Sequence, residues 1–305
     1  MWASLAIVLP VFGLIGLGYA ARRVGLVSDA TGEGLSDFVF TLSVPCLIFR
    51  TLARAELPAV QPWGYWIAYF AAVAIVWALA SLAAGRFFHV GRTEAVVAGF
   101  AAGQANTVLV GIPLILKAYG EEGAVPLFLL VAIHLPVIMV AGTLLVEGRQ
   151  APLVGIAKRL LLHPVILALF AGLLGRLAAA ALPEPLWQII DFLANAAVPC
   201  SLVAMGIALH RYGMGAGWRL PALITALKLI VQPLIVLVLA TQVFTMPRAW
   251  SGVAVLFAAC PCGINAYLFA ERYREGVAIV SGAVALSTAL ALFTTVLWLQ
   301  VLGVG

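Results

Sequence analysis

The sequence consists almost entirely of apolar stretches about 20 residues long, separated by short polar links. As an α-helix, a stretch of this length spans the hydrocarbon core of a bilayer, because each residue adds about 1.5 Å. The links leave no room for a soluble domain. Ten spans are predicted, at 4–21, 35–53, 63–84, 94–116, 124–146, 160–182, 186–209, 220–244, 249–270 and 277–302.

Composition supports an all-helical membrane protein. Apolar residues make up 64% of the chain and charged residues only 10%, against about 25% charged residues in soluble domains. The net charge of +5 is not gathered into a basic block, so we expect no nucleic-acid partner. The nucleotide, hydrolase and zinc-protease motifs GxxxxGK[ST], GxSxG and HExxH are absent from the sequence. We therefore expect neither an enzyme nor a cofactor.

Lys and Arg residues are unevenly distributed between alternate loops. The first, third, fifth, seventh and ninth loops carry eleven of them, and the other loops carry five. Because the more basic loops stay in the cytoplasm, the odd loops are expected there and both termini outside. Lys228 falls inside the eighth span.

The second half of the chain repeats the first at a constant offset of 154 residues. Asp37-Phe38 falls on Asp191-Phe192, and Val44-Pro45-Cys46 falls on Val198-Pro199-Cys200. Each unit has five spans, an odd number, so the two copies must lie in opposite senses across the bilayer. We predict one repeat at 1–150 and a second, inverted repeat at 151–305. Inverted repeats indicate alternating access.

The fourth and ninth spans, which are equivalent in the two repeats, are interrupted by Gly and Pro. Gly103, Gly111 and Pro113 fall near the middle of the fourth span, and Pro261 and Gly263 at a similar depth in the ninth. A single Pro or Gly is usually only a kink in a membrane helix. Two interrupted helices in corresponding positions predict a binding site at the middle of the membrane.

The chemistry of such a site favours an anion. Broken helices present free N–H groups at the N-termini of their second halves, where the helix dipole attracts negative charge. The amides of Gln104, Asn106 and Asn265 would add neutral donors. A carboxylate suits this set of donors, although unwound carbonyls would still accept sodium.

Lys228 and His134 are ionisable residues well inside predicted spans, and each has alternative interpretations. Lys228 either pairs with a substrate carboxylate, holds a carbonyl of a broken helix, or extends toward the headgroups. His134, near the centre of the fifth span, either donates to substrate, carries a proton, or is a packed histidine with its hydrogen bonds satisfied.

Asp37 and Asp191 are predicted to open the second and seventh spans, and Glu94 the fourth. These carboxylates either stabilise helix N-termini or take part in ion coupling. All four cysteines fall within spans, which excludes disulfides between loops. The Cys260-Pro261-Cys262 triplet is similar to an intramembrane soft-metal motif, but packing is the favoured role of these thiols, and we expect no resident metal.

Five segments together resemble the auxin efflux carrier family in its compact bacterial form. They are DFVFTLSVPCLIFRTLA at 37–53, ANTVLVGIPLILKAYGEEG at 105–123, AAVPCSLVAMGIALH at 196–210, KLIVQPL at 228–234 and AACPCGINAYLFAERY at 258–273. The likeness covers nearly the whole chain. It implies a multi-pass protein of the bacterial inner membrane and a substrate such as malonate, malate or an auxin-like monocarboxylate.

The resemblance also implies a fold of the bile-acid-symporter and Na+/H+-antiporter type. Helices 1, 2, 6 and 7 form the scaffold in that fold, and helices 3–5 and 8–10 form a mobile transport domain in which helices 4 and 9 cross. Members are homodimers joined through the scaffold. The substrate-contacting Asn corresponds to Asn106, the polar position of the fifth helix to His134, and the crossover proline to Pro261, with Cys262 beside it as a further candidate contact. The proline of the fourth helix is replaced by Ala105.

The function predicted from these observations is secondary active or facilitative transport of a small organic anion, by an elevator-type movement, with H+ or Na+ as candidate coupling ions. A membrane sensor or channel-like protein that binds the anion without carrying it is the alternative. A soft-metal carrier using Cys260 and Cys262 is the less favoured third.

Overall fold

In the computed structural model, the described residues are 2–55, 63–148, 161–177, 182–212 and 217–304, together with 151, 152, 154, 155, 158 and 215. These residues form helices and no strand; one isolated antiparallel bridge joins Ala105 to Cys262. The helices are α1 (Trp2–Arg23), α2 (Asp29–Arg54), α3 (Trp63–Phe87), α4 (Arg92–Gly103), α5 (107–119), α6 (121–147), α7 (Pro164–Gly175), α8 (Glu184–Leu209), α9 (Arg219–Val243), α10 (Arg248–Ala259), α11 (Ile264–Tyr273) and α12 (Val277–Val301).

Within the described residues, seven helical segments are long and apolar enough to cross a membrane. They are α1, α2, α3, the joined pair α5 and α6, α8, α9 and α12. Gly120 separates α5 from α6 with a positive φ of 56°. The prediction of an all-helical membrane protein is confirmed, whereas the count of ten crossings stays a prediction. Part of the link between the two predicted repeats, including Arg149, Gln150 and Arg159, lies outside the described residues.

The helices pack in two groups. In the first group, α1 and α2 pack along α8, and α2 also packs against α7. Gly206 makes the contact between α1 and α8 very close, because a Cβ on it would overlap the carbonyl oxygen of Ile15. In the second group, α3 packs on α4, and α10 packs on α6 and α9. The first group is therefore α1, α2, α7 and α8, and the second comprises the remaining helices.

Ion pairs mark the two ends of the first group. At one end, Arg22 pairs with Asp29 at 2.8 Å and Arg211 with Glu33 at 2.7 Å. At the other end, Arg50 pairs with Asp191 at 3.2 Å. We call these the Arg211 end and the Arg50 end. Since α2 and α8 run antiparallel between them, each end joins the start of one helix to the end of the other.

Asp37 and Asp191 do not open helices, contrary to the sequence-based expectation. Helix α2 begins earlier, at Asp29, because Ser28 and Thr31 form a capping box in front of it. Helix α8 begins at Glu184, just after Pro183. Each aspartate therefore lies about two turns inside its helix, where it does not stabilise an N-terminus. Glu94 does lie in the first turn of its helix, α4.

Candidate functional site

The interruptions of the fourth and ninth predicted spans lie against each other. Helix α4 ends at Gly103 and α5 begins at Thr107, while α10 ends at Ala259 and α11 begins at Ile264. The Asn106 N–H donates to the Pro261 carbonyl at 2.8 Å, and the Gly263 N–H donates to the Gln104 carbonyl at 3.0 Å. Backbone groups that the broken helices leave free thus bond to each other. We call the place where the two breaks, 104–106 and 260–263, meet the crossing.

Local chemistry explains one break better than the other. Pro261 has no N–H to continue α10, and a Cβ on Gly263 would lie 2.8 Å from the Ala105 carbonyl oxygen. Gly103, one of the residues predicted at this break, is the last residue of α4. Gly111 and Pro113, which we expected at the break, lie beyond it. Gly111 ends a widened helical turn at Thr107–Gly111, and Pro113 follows that turn, which accommodates the N–H that Pro113 lacks.

A cavity of about 390 Å³ lies against the crossing, and we call it the crossing cavity. The first turns of both α5 and α11 line it, including Asn106 and Asn265. The first N–H groups of a helix have no partner within the helix, and the dipole there favours negative charge. The starts of two helices, together with Asn106 and Asn265, therefore line one space. At the Arg211 end, the cavity is lined by Glu33, Asp37, Arg211, Tyr212 and Tyr267.

Asn106 is 5% exposed and contacts the first helix group. Its side-chain amide donates to the Met205 sulfur on α8, with 3.1 Å between nitrogen and sulfur. A thioether is a weak acceptor, so this bond can be exchanged for a stronger one to an oxygen. The geometry leaves Asn106 able to bind an anion in the crossing cavity.

The predicted contacts Gln104, Pro261 and Cys262 do not line the crossing cavity. The Gln104 amide lies 3.4 Å from the Ala105 carbonyl oxygen. The Cys262 N–H donates to the Ser287 hydroxyl on α12 at 3.0 Å. Gln104, Pro261 and Cys262 therefore form part of the crossing itself without lining the cavity. Among the described residues, no three His, Cys, Asp or Glu side chains gather as they would around a metal ion.

His134 is fully buried beside the crossing. The Ala105 N–H donates to its Nε2 at 3.3 Å, and the Tyr69 hydroxyl lies 3.0 Å from its Nδ1. Because Nε2 accepts a hydrogen bond, the proton of the neutral ring lies on Nδ1, which donates to Tyr69. Both ring nitrogens are occupied, which favours the packed-histidine interpretation, and His134 does not line the crossing cavity.

Lys228 is also fully buried, on α9. Its ammonium donates to the Ala258 carbonyl and to the Gln232 side-chain oxygen, each at 2.7 Å. Ala258 is in the last turn of α10, where the helix dipole favours a cation. Of the three interpretations of Lys228, the geometry favours a hydrogen bond from its ammonium to a carbonyl of a broken helix. Lys228 does not line the crossing cavity, and its complete burial argues against extension to the headgroups.

The two equivalent aspartates lie at different cavities. Asp37 lines the crossing cavity, which lies toward the Arg211 end. Asp191 lines a larger cavity of about 1130 Å³ at the Arg50 end, together with Arg50, Glu121 and Glu122. We call this the Arg50-end cavity. Asp191 is already paired with Arg50, so its charge is compensated within the first helix group.

Comparison with known proteins agrees with this architecture. The family model described as membrane transport protein matches residues 4–299 of the 305. The chain belongs to this membrane transport family. It is the auxin efflux carrier family that the sequence motifs resemble, so the prediction of a transporter rather than an enzyme is confirmed.

Relatives in this transport family align over nearly the full chain. A proposed malonate transporter of Rhizobium meliloti (strain 1021) is 32% identical over 302 residues, covering 94% of this chain and 92% of its own. An uncharacterized transporter of Methanothermobacter thermautotrophicus is 25% identical and covers 97% of both chains. The lysosomal cholesterol signaling protein of Mus musculus is 23% identical, with 92% of this chain matching 35% of that protein.

Several residues at the crossing were not found by sequence reasoning. Gln232 lies four residues after Lys228 on one helix, a spacing that places the two side chains together and could have revealed the pair. Tyr69 and Met205 reach the crossing from other helices, and no local pattern signals them. The rings of Tyr212 and Tyr267, 5.1 Å apart between centroids, join the two helix groups where both residues line the cavity.

Proposed function

We propose that this transporter carries a small organic anion with one or two carboxylates, of the malonate or malate type. The observation that carries the proposal is the convergence of the α5 and α11 N-termini on the crossing cavity, beside the amides of Asn106 and Asn265. Each helix N-terminus is equivalent to roughly +0.5 elementary charge. The volume of about 390 Å³ holds such an anion together with several waters. The Rhizobium meliloti relative supports the choice of malonate as the first substrate to test.

Asp37 is the candidate for ion coupling. Its carboxylate lines the same cavity as the anion-binding groups, where it would repel a carboxylate substrate. A proton or Na+ bound together with the anion would remove this repulsion. Asp191 is less suited to this role, because Arg50 already compensates its charge.

The proposed mechanism is alternating access by an elevator-type movement. The repeated sequence motifs support ten crossings in two inverted repeats, with the boundary near residue 150. The first helix group, α1, α2, α7 and α8, would be the fixed scaffold and would form the interface of a homodimer. The second group would move with the crossing and the bound anion. The packing of the helices into these two groups supports the division.

The proposed orientation follows from Lys and Arg. The Arg211 end carries the loops that are rich in them, so it would face the cytoplasm, with both termini outside a bacterial inner membrane. The crossing cavity, which lies toward that end, would then be in its cytoplasm-facing state. Labelling of single cysteines placed near the two termini checks this topology, and a cytoplasmic terminus would contradict it.

The deciding experiment is uptake of labelled malonate by proteoliposomes loaded with unlabelled malonate. We expect counterflow that unlabelled malate also drives and that an equally charged inorganic anion such as sulfate drives poorly. A thermal-shift titration with malonate should be run on the same protein, because a ligand of the native state stabilises it. Binding without flux would favour the sensor alternative, and absence of both would contradict the proposal.

A further inference from the structure

An apolar groove runs along the outside of the molecule between α6 and α7. Ile133 and Pro136 of α6 and Ile166, Leu169 and Phe170 of α7 line it, and its volume is about 450 Å³. The side chains of Ile133 and Phe170 are exposed, so the groove is open to the surroundings. Both helices are apolar, and α6 belongs to a segment able to cross a membrane. We therefore expect lipid around the groove.

Shared lining residues link the groove to the crossing cavity. Pro136 and Ile166 also line a small cavity of about 50 Å³ behind it. That small cavity in turn shares four lining residues with the crossing cavity: Phe40, Thr107, Val108 and Asn265. Groove, small cavity and crossing cavity thus lie in a row, and each shares lining residues with the next.

The narrow middle of this row suits a hydrocarbon chain better than a charged group. Its volume holds about one or two water-sized groups. Most of its lining is apolar, and the His163 ring there accepts from the Val165 N–H at 3.3 Å. A carboxylate passing here would lose much of its water and find few polar partners, namely Thr107, His163 and Asn265, whereas methylene groups need none. The anion-binding groups remain at the inner end, at Asn106 and Asn265.

We propose that the crossing cavity opens sideways into the bilayer and accepts carboxylates with an apolar tail. The carboxylates lie at the N-termini of α5 and α11, and the tail leaves between Pro136 and Ile166 into the groove. The proposal rests on the proposed function, because it requires that the crossing cavity binds carboxylates. It extends the substrate class from small acids to amphiphilic ones.

The test uses one headgroup with tails of increasing length: malonate and 2-ethyl-, 2-butyl-, 2-hexyl- and 2-octylmalonate. Binding to the purified protein is measured by thermal shift and by inhibition of labelled malonate uptake. We expect affinity to rise up to fourfold for each added methylene, the fold-change that corresponds to about 0.8 kcal/mol per buried CH₂. Equal affinities along the series would overturn the lateral opening and leave the proposed function standing. If no member binds, both fall.

Two matched variants locate the tail. Ile166→Trp should fill the passage, so that affinity no longer rises with tail length while malonate itself binds as before. Leu173→Trp, on the same helix and in the same groove but about 10 Å farther along, should leave the gain from ethyl and butyl tails intact. Both variants add the same surface, so partition of the tail into detergent affects them equally. A tail-length effect that survives Ile166→Trp would overturn the proposal.

A photolabel gives an answer that does not depend on any variant folding. An alkylmalonate with a diazirine at the end of a six-carbon tail should label peptides from 121–147 or 161–177, and excess malonate should suppress the labelling. Labelling only elsewhere would overturn the proposal. Labelling of the groove that malonate does not suppress would also overturn it, because it would assign the groove to a membrane lipid chain that has no link to the anion site.

Discussion

The side-chain amide of Asn106, on the second helix group, donates to the sulfur of Met205, on the first, across 3.1 Å. A carboxylate is a much better acceptor than a thioether, so an anion in the crossing cavity should take over this amide. Asn106→Ala is expected to weaken malonate binding by about 1 to 3 kcal/mol, the usual loss for a partner of a charged group. Isothermal titration with the purified variant measures it.

Met205→Leu is the control for Asn106. It keeps an apolar side chain of similar size and removes only the competing acceptor, so malonate affinity should be unchanged or higher. If Asn106→Ala binds malonate as tightly as the unaltered protein while remaining folded, Asn106 is not part of the site.

The crossing should be intolerant of a side chain at Gly263. A Cβ there would lie 2.8 Å from the Ala105 carbonyl oxygen and 3.2 Å from the Asn106 nitrogen, both backbone atoms that cannot move aside independently. Gly263→Ala is expected to destabilise the protein by about 1 to 3 kcal/mol and to reduce transport strongly. Gly13→Ala in α1, where nothing lies within 4 Å of the added atom, is the matched control and should leave the melting temperature unchanged. Similar melting temperatures for the two variants would show that the crossing adapts.

Lys228 is expected to support the crossed helices without contacting substrate. In Lys228→Met, the Ala258 carbonyl and the Gln232 side-chain oxygen lose a shared donor, which should lower the melting temperature. Because the ammonium does not line the crossing cavity, malonate and a monocarboxylate such as acetate should lose affinity by the same factor. A selective loss for malonate would instead give Lys228 the role of a counter-charge to substrate.

The division into a fixed and a moving group can be tested by cross-linking. Tyr212 lies three residues after the end of α8, a helix of the proposed scaffold, and Tyr267 lies on α11, with ring centroids 5.1 Å apart. Cysteines at both positions, joined by a short cleavable cross-linker, should stop transport, and reduction should restore it. A cysteine pair at Glu147 and Tyr273, whose side chains bond at 2.5 Å within the second group, should tolerate the same cross-link. Unimpaired transport in the first pair would contradict relative movement of the groups there.

Sequence reasoning found both interrupted helices, but it located only one of the two breaks. In the ninth span, Pro261 removes a backbone donor, so the break is encoded locally and was predicted. In the fourth span, the break is at 104–106, which contains neither Gly nor Pro. It is held open by bonds to Pro261 and Gly263, more than 150 residues away, and no local pattern records such a pairing.

Asp37 and Lys228 show the same limit. Asp37 was placed at a helix start because hydropathy marks where a helix enters the apolar layer, whereas Ser28 caps α2 well before that point. A buried charge on Lys228 was foreseeable from its place in an apolar run. That Lys228 bonds to the Ala258 carbonyl depends on how α9 packs against α10, and this packing could not be predicted from the sequence.

The two cavities leave only a thin layer of protein between them. Phe40 lines the crossing cavity, and Leu47, seven residues later on α2, lines the Arg50-end cavity, so about 10 Å of helix separates them. The hydrocarbon core is about 30 Å thick. Where both cavities hold water, the membrane potential falls mainly across this layer, and each unit charge that crosses it gains or loses about 2.3 kcal/mol per 100 mV. A doubly charged anion that crosses alone would therefore make the rate of transport steeply dependent on voltage, and a co-transported cation would reduce that dependence.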